Sequence, residues 1–126
     1  MSCTACVCDQ VERTDGLWRS AEYSTFSIGD EARKYRLAVA GYRGEAGDAM
    51  AAATLHSGWI ANGRKFTTRD RDNDGWSAEN CASRYGGGWW FAHCSASFLN
   101  RNPAAYWSDV SPHTDIRESH MLVKHN

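Results

Sequence analysis

Apolar and polar residues alternate clearly along one stretch of the chain, residues 35–40. This period of two is typical of a half-buried strand. Residues 48–55 have the strongest helix propensity of the chain. After Gly58, short apolar runs are separated by turns rich in glycine and aspartate, and residues 120–126 predict a last short strand. The pattern therefore predicts an α+β or irregular β domain with long loops, which in an ordered domain usually carry the functional site.

Composition limits the classes of function. The chain has 126 residues, 42% of them hydrophobic, and a formal charge of −1. That length corresponds to one domain. The sequence contains no apolar run of the ~18 residues that a membrane span needs. A nearly neutral chain also has no overall field to hold nucleic acid or an anionic membrane. We therefore expect neither nucleic-acid binding nor membrane insertion.

The five cysteines form two groups. Cys81 and Cys94 bracket a loop rich in glycine and aromatic residues, and a local disulfide there would contribute ~3 kcal/mol in the chain-entropy model. Such a bond needs an oxidising compartment, yet residues 1–16 lack the apolar core of a secretory signal. From the residues alone, an oxidised pair and two reduced thiols both remain open. The other group is Cys3, Cys6 and Cys8. It is a weak metal signal, and we expect an unstructured tail or pairing with another chain.

An aspartate-rich loop begins at Asp70 and ends at Gly75. Carboxylates at alternate positions followed by glycine suit a hard cation such as calcium. The EF-hand pattern fails, because its twelfth position is Cys81 instead of glutamate. Two interpretations remain: a calcium loop of another kind, or a solvated acidic turn whose charge is partly cancelled by Arg69 and Arg71.

Several motifs in order then resemble one family. These are KFTTRDRDND from Lys65, NCA from Asn80, YGGGWW from Tyr85, HC at His93 and LN at Leu99. Together they resemble the fibrinogen C-terminal domain (fibrinogen-related domain) family, and more closely its ficolin- or tachylectin-like lectin branch. The resemblance covers roughly residues 19–125. It implies a partial, N-terminally truncated domain over residues 19–126, preceded by an atypical tail over residues 1–18. The implied fold is α+β, with a short mixed or antiparallel sheet and long C-terminal loops.

The resemblance implies a structural calcium ion in the aspartate-rich loop. The matching carboxylates are Asp72 and Asp74, and the matching carbonyls are those of Trp76 and Ala78. Glu79 looks like an insertion relative to the family, which bears on the last carbonyl. The family also has a disulfide beside this site, and its cysteines match Cys81 and Cys94.

A ligand pocket beside the calcium loop is also implied, which in lectin-like members binds acetyl groups. Tyr85 matches a pocket wall, and the His93–Cys94 bond matches an unusual cis peptide that shapes the pocket. Ser95 stands where the family often has histidine. Tyr106 or Trp107 could supply a second wall, because the loop before them is shortened. Trp89 and Trp90 are expected to be scaffold, whereas Trp59 and Trp76 could be scaffold or ligand contacts.

The function implied is non-catalytic recognition of carbohydrate or acetylated ligands on microbial or cell surfaces, in an extracellular innate-immune setting. The alternative is a protein-binding module of an adhesive or angiopoietin-like member. Partners would be acetylated sugars, glycoconjugates or a protein receptor. Enzyme activity is not expected, since no nucleophile elbow or paired catalytic carboxylate motif occurs. Oligomers are possible and would raise weak sugar affinity.

Overall fold

The structure, a computed structural model, describes residues 5–13, 16–101, 104–110 and 116–125, with the backbone alone at 5–11, 13 and 125. Strands form most of its regular structure. They are β1 (Ala5–Arg13), β2 (Trp18–Ile28), β3 (Leu37–Gly44), β4 (Phe66–Thr67), β5 (Trp89–Trp90), β6 (Ser97–Phe98), β7 (Tyr106–Trp107) and β8 (Ile116–His125).

Helix is scarce within these ranges. The α-helix α1 spans Cys81–Tyr85, and single 3-10 turns lie at Glu31–Arg33 and Ser57–Trp59. The expected α+β class therefore applies with a small α component. None of the helices in the described ranges is long and apolar enough to cross a membrane.

The main sheet has four antiparallel strands in the order β3-β2-β1-β8. The backbone of Val7 in β1 is paired with Tyr23 of β2 on one side and Val123 of β8 on the other. β1 thus has strand partners along both edges, which makes it an interior strand of the sheet.

This position of β1 differs from the sequence expectation. We expected residues 1–18 to be an atypical tail, whereas residues 5–13 form an interior strand. At its end the carboxylate of Glu12 is buried and forms an ion pair with Arg117 of β8. The strand is formed by partners more than 100 residues away in β8, so its stability comes from tertiary pairing and not from a local apolar period. Where the domain begins along the chain stays a prediction.

The core joins this sheet to the C-terminal loops. Tyr23 and Leu37 of the sheet are fully buried, and so are Trp89, Phe91 and Trp107 of the loops. Two short antiparallel pairs, β4 with β5 and β6 with β7, hold the aromatic residues in place. The indole Nε1 of Trp107 donates to the Gly47 carbonyl oxygen at 2.8 Å, a bond that links β7 to the loop after β3. Trp89 and Trp90 are scaffold, as expected.

The loop after β3 consists of turns, although its residues 48–55 have high helix propensity. The carboxylate of Asp48 accepts from the Tyr23 hydroxyl at 2.7 Å and from the Ala51 amide at 3.0 Å. The first of these bonds joins residues 25 apart in sequence, and tertiary bonds of this kind outweigh the modest preference of alanine for helix. The hydroxyl of Tyr42 donates to the Gly44 carbonyl and accepts from the Gly47 amide, both at 2.8 Å.

Candidate functional site

The acidic loop between β4 and α1 is held by its own hydrogen bonds. The amide of Thr68 donates to the Arg71 carbonyl at 3.0 Å, and the Arg71 amide donates back at 3.2 Å. The Thr68 hydroxyl donates to the Asp70 carboxylate at 2.7 Å. This bond stabilises the charged form and lowers the pKa of Asp70 below its ordinary value. Asp70 therefore supports the turn.

Asp72 and Asp74 lie next to each other in this loop. An Asp72 carboxylate oxygen accepts from the Asp74 amide at 3.1 Å. The two oxygens of Asp74 accept from the Trp76 amide at 2.9 Å and the Cys81 amide at 2.8 Å. Burial raises the pKa of Asp74, and the neighbouring Asp72 carboxylate raises it further. Two adjacent carboxylates repel each other, so a cation between them would be stabilised.

These residues fit the chemistry of a calcium site. No cluster of three or more His, Cys, Asp or Glu side chains suited to a metal occurs in the described part of the chain. Further ligands would therefore have to be backbone oxygens or water. Among the backbone bonds outside strands and helices in that part, none is accepted by the carbonyls of Trp76 or Ala78. The donor set Asp72, Asp74, Trp76 and Ala78 is all oxygen, which calcium prefers. Glu79, the apparent insertion, is exposed.

Asn80 joins the acidic loop to α1. Its side-chain oxygen accepts from the Ala82 amide at 2.8 Å and the Ser83 amide at 3.2 Å, which caps the N-terminus of α1. Its side-chain nitrogen donates to the carbonyls of Thr68 at 3.0 Å and Arg69 at 3.3 Å. Sequence reasoning used Asn80 only as part of a motif and missed this role. The available signal was the residue type, because asparagine is a preferred N-cap residue.

A disulfide links Cys81 to Cys94, with 5.4 Å between their Cα atoms. This confirms the pairing that the resemblance implied and excludes the alternative of two reduced thiols. The backbone of Cys94 has φ of +60°, a left-handed conformation uncommon outside glycine. The Gly75 amide also donates to the Ala92 carbonyl at 2.6 Å. The segment 92–94 is therefore tied to the acidic loop through Gly75 and to the start of α1 through the disulfide. The cis form of the His93–Cys94 bond stays a prediction.

A cavity of about 400 Å³ opens beside this segment. All five residues predicted to contact ligand line it. They are Tyr85, His93, Cys94, Ser95 and Tyr106. These residues come from α1, the turn after β5 and the strand β7, and the disulfide brings the first two of these elements together. Trp107, the alternative wall, is instead fully buried. The structure thus places the residues in one site, and their role toward a ligand stays a prediction.

The remaining lining extends the aromatic surface. It consists of Trp59, Trp76, Phe91, Phe98 and Arg101. The rings of Trp76 and His93 are stacked, with centroids 5.0 Å apart and planes inclined by 28°. Trp59 and Trp76 had been left open between scaffold and contact, and both face the cavity. Phe91, Phe98 and Arg101 were missed, because no local motif indicates that a residue after β6 meets one after β5.

Backbone hydrogen bonds hold the rim of the pocket. The His93 amide donates to the Gly58 carbonyl at 2.7 Å, and the Ala96 amide donates to the Trp59 carbonyl at 3.0 Å. The Ser95 hydroxyl accepts from the Ser97 amide at 3.2 Å and lies 3.4 Å from the Trp59 carbonyl oxygen. The pocket is therefore preformed, with aromatic walls and polar atoms at its edge, as small-molecule sites usually are.

Comparison with known proteins identifies the family to which this fold belongs. The family model for the C-terminal globular domain of fibrinogen beta and gamma chains matches residues 4–118. The chain belongs to the fibrinogen C-terminal domain family. The match begins ahead of residue 19, where we expected the domain to start, and it includes the whole of β1.

Three relatives illustrate the range of this family. The chain is 47% identical over 83 residues to the human fibrinogen alpha chain, covering 64% of this chain and 9% of that protein. It is 42% identical over 82 residues to a techylectin-like protein of Phoneutria nigriventer, covering 65% and 33%. The fibrinogen-like globe domain of human ANGPTL6 superposes with a TM-score of 0.82 at 30% identity, covering 98% of this chain and 57% of that one. This fibrinogen-related chain thus spans only part of each of these relatives.

Proposed function

We propose that this chain is a non-catalytic recognition module whose aromatic pocket binds acetylated carbohydrates or other acetylated compounds. The observation that carries the proposal is the cavity itself. It has about 400 Å³ of space, aromatic walls and polar backbone at the rim, and it lies against the disulfide-linked acidic loop. Aromatic rings suit the methyl group and the apolar sugar face, while polar groups orient the ligand.

The calcium ion has a structural role in this proposal. Asp72 and Asp74 with the carbonyls of Trp76 and Ala78 would hold it. Trp76 also lines the pocket and stacks on His93. A loop fixed at Asp74 therefore keeps one pocket wall in place, so that loss of the cation would loosen the pocket.

The setting proposed is extracellular, on microbial or host surfaces. The disulfide between Cys81 and Cys94 supports an oxidising compartment. The techylectin-like relative supports a lectin. Cys3 lies outside the described residues, and Cys6 and Cys8 lie in β1, where the backbone alone is described. Their pairing with another chain, and with it an oligomer, stays a prediction.

Binding of N-acetylglucosamine, with glucosamine as the matched probe lacking the acetyl group, tests the proposal. We expect saturable binding of the acetylated sugar alone. Tyr85→Ala should weaken it by ~3–10-fold, since an aromatic contact contributes about 0.5–1.5 kcal/mol. Tyr35→Ala is the matched control, because Tyr35 is 44% exposed against 41% for Tyr85 and does not line the pocket. Equal binding of both sugars would contradict the proposal.

The role of calcium needs a separate comparison. Asp74→Asn should weaken N-acetylglucosamine binding in calcium buffer, whereas Asp70→Asn on the same loop should not, since Asp70 is not a proposed ligand. Chelator should weaken binding by the wild-type chain and should have little further effect on Asp74→Asn. Undiminished wild-type binding in chelator would refute the coupling and leave the pocket itself as the site.

A protein partner is the second candidate, supported by exposed apolar side chains on the sheet. Leu17 and Trp18 at the start of β2 and Leu122 and Val123 of β8 are 42–58% exposed. Aromatic side chains such as Trp18 are enriched at protein interfaces. The fibrinogen-like globe domain of ANGPTL6 covers the same strands of this chain. Binding to a protein that N-acetylglucosamine does not compete away would favour this candidate.

A further inference from the structure

Arg101 gives the pocket a positive charge. It lies three residues beyond β6, and its side chain lines the cavity together with Tyr106 and Ser95. The residue is partly buried. The hydrogen bonds and ion pairs found in the described ranges include none that engages its guanidinium group. Partial burial of a cation without a partner is unfavourable, so an anion brought to it is stabilised.

No acidic side chain offsets this charge among the lining residues that the structure describes. The carboxylate of Asp74, two residues before the lining residue Trp76, accepts from the amides of Trp76 and Cys81 and does not line the cavity. The other lining residues are aromatic, apart from Cys94 and Ser95. Among the described lining residues, Arg101 is therefore a permanent positive charge beside aromatic walls, with no carboxylate to offset it.

From these observations we infer that the pocket selects acidic ligands, in which a carboxylate accompanies the acetyl group, and that Arg101 is the residue that determines this specificity. The inference rests on the proposed binding function and narrows its ligand class. Guanidinium presents two parallel N–H donors that match both oxygens of a carboxylate, whereas a lysine ammonium acts as a point charge. The aromatic walls would hold the acetyl methyl group while Arg101 holds the carboxylate.

The test compares N-acetylmuramic acid with its methyl ester, two probes that differ in the charge of one group. Binding to the full chain in calcium buffer is followed by tryptophan fluorescence, since Trp59 and Trp76 face the cavity. We expect the acid to bind ~3–10-fold more tightly than the ester at low salt, the effect of one partly exposed charge-assisted hydrogen-bonded pair. Higher salt should reduce this preference.

Three variants test whether Arg101 causes the preference for the acid over the ester. Arg101→Met keeps the length of the side chain and should bring the acid-to-ester ratio close to one by weakening the acid. Arg101→Lys should keep part of the preference. Arg36→Met is the matched control, because Arg36 is exposed and does not line the pocket. It should retain the full preference. Near-ultraviolet circular dichroism checks that each variant is folded.

The outcomes separate the two proposals. Equal binding of acid and ester by the wild-type chain overturns the inference on Arg101 and leaves acetyl recognition in place. A preference that survives unchanged in Arg101→Met also overturns it. If neither probe nor N-acetylglucosamine binds, the proposed function itself fails. The acid-to-ester comparison needs only the wild-type chain, so it tests the inference even if a variant misfolds.

Discussion

The disulfide between Cys81 and Cys94 should provide a large share of the stability of this small domain. The perturbation is the double variant Cys81→Ala/Cys94→Ala, which avoids leaving one thiol free to pair with the N-terminal cysteines. The two cysteines are separated by 13 residues. Opening a loop of this length should lower the free energy of unfolding by about 3 kcal/mol, the loop-closure entropy that the bond removes from the unfolded chain. For a domain of marginal stability that is a substantial fraction.

Loss of the disulfide should weaken ligand binding in the pocket as well as lower the stability of the fold. The bond joins α1, which carries Tyr85, to the turn that carries His93. Without it, core packing and hydrogen bonds such as that from the Gly75 amide to the Ala92 carbonyl remain to hold these two walls together. We therefore expect N-acetylglucosamine affinity to fall in the double variant even under conditions where it remains folded.

Urea unfolding followed by tryptophan fluorescence measures the decrease in the free energy of unfolding of the double variant. The midpoint should decrease at nearly unchanged slope if only stability is altered. Wild-type chain treated with iodoacetamide, which blocks free thiols and leaves the disulfide intact, controls for thiol exchange. A loss below roughly 1 kcal/mol would refute the loop-entropy reasoning. Unchanged sugar affinity would show that the pocket does not depend on the bond.

Three further predictions concern single side chains. Tyr42→Phe removes two hydrogen bonds and should lower the free energy of unfolding by about 1–2 kcal/mol, with Tyr35→Phe as the exposed control. Burial raises the pKa of Tyr42 above the ordinary value of 10.0. The folded wild type therefore holds this proton more tightly than the unfolded chain, so its free energy of unfolding should fall as the pH rises above 10.0. Tyr42→Phe should lack this contribution, and identical pH profiles of the two chains would contradict the prediction. Asn80→Ala removes the cap of α1 and the bonds to the acidic loop, and should cost about 1–3 kcal/mol in a thermal melt. Trp107→Phe loses volume in the core and the bond to the Gly47 carbonyl; a decrease of about 2–3 kcal/mol is expected in urea unfolding, and no change would mean that the loop after β3 does not depend on it.

The candidate site was largely accessible from the sequence because its residues occur in an ordered series of motifs. Tyr85, His93, Cys94, Ser95 and Tyr106 all line one cavity. Four of them lie within ten residues of one another, joined by a disulfide whose cysteines were visible as a spaced pair. Local spacing is a strong guide when the chain returns on itself over so short a distance. The metal role of Asp72 and Asp74 stays a prediction.

Other features depended on residues far apart in the chain. β1 has little local period of its own and is a strand because β2 and β8 provide its hydrogen-bond partners. The alanine-rich loop at 48–55 had high helix propensity, yet it forms turns, with Tyr23 bound to Asp48 at its start and Trp107 bound to Gly47 just before it. In both places a few tertiary bonds outweigh intrinsic propensities that amount to fractions of a kcal/mol per residue.

What the sequence determined by itself, through its resemblance to the family, is therefore the family, the Cys81–Cys94 pairing and five of the residues that line the pocket. What only the tertiary structure decided is the interior position of β1 and the presence of Arg101 in a lining that has no carboxylate among the described residues. The physical reason is the range of the interactions. Motif spacing reports contacts between neighbours in sequence, whereas sheet order and the charge of a cavity depend on which distant segments the fold brings together.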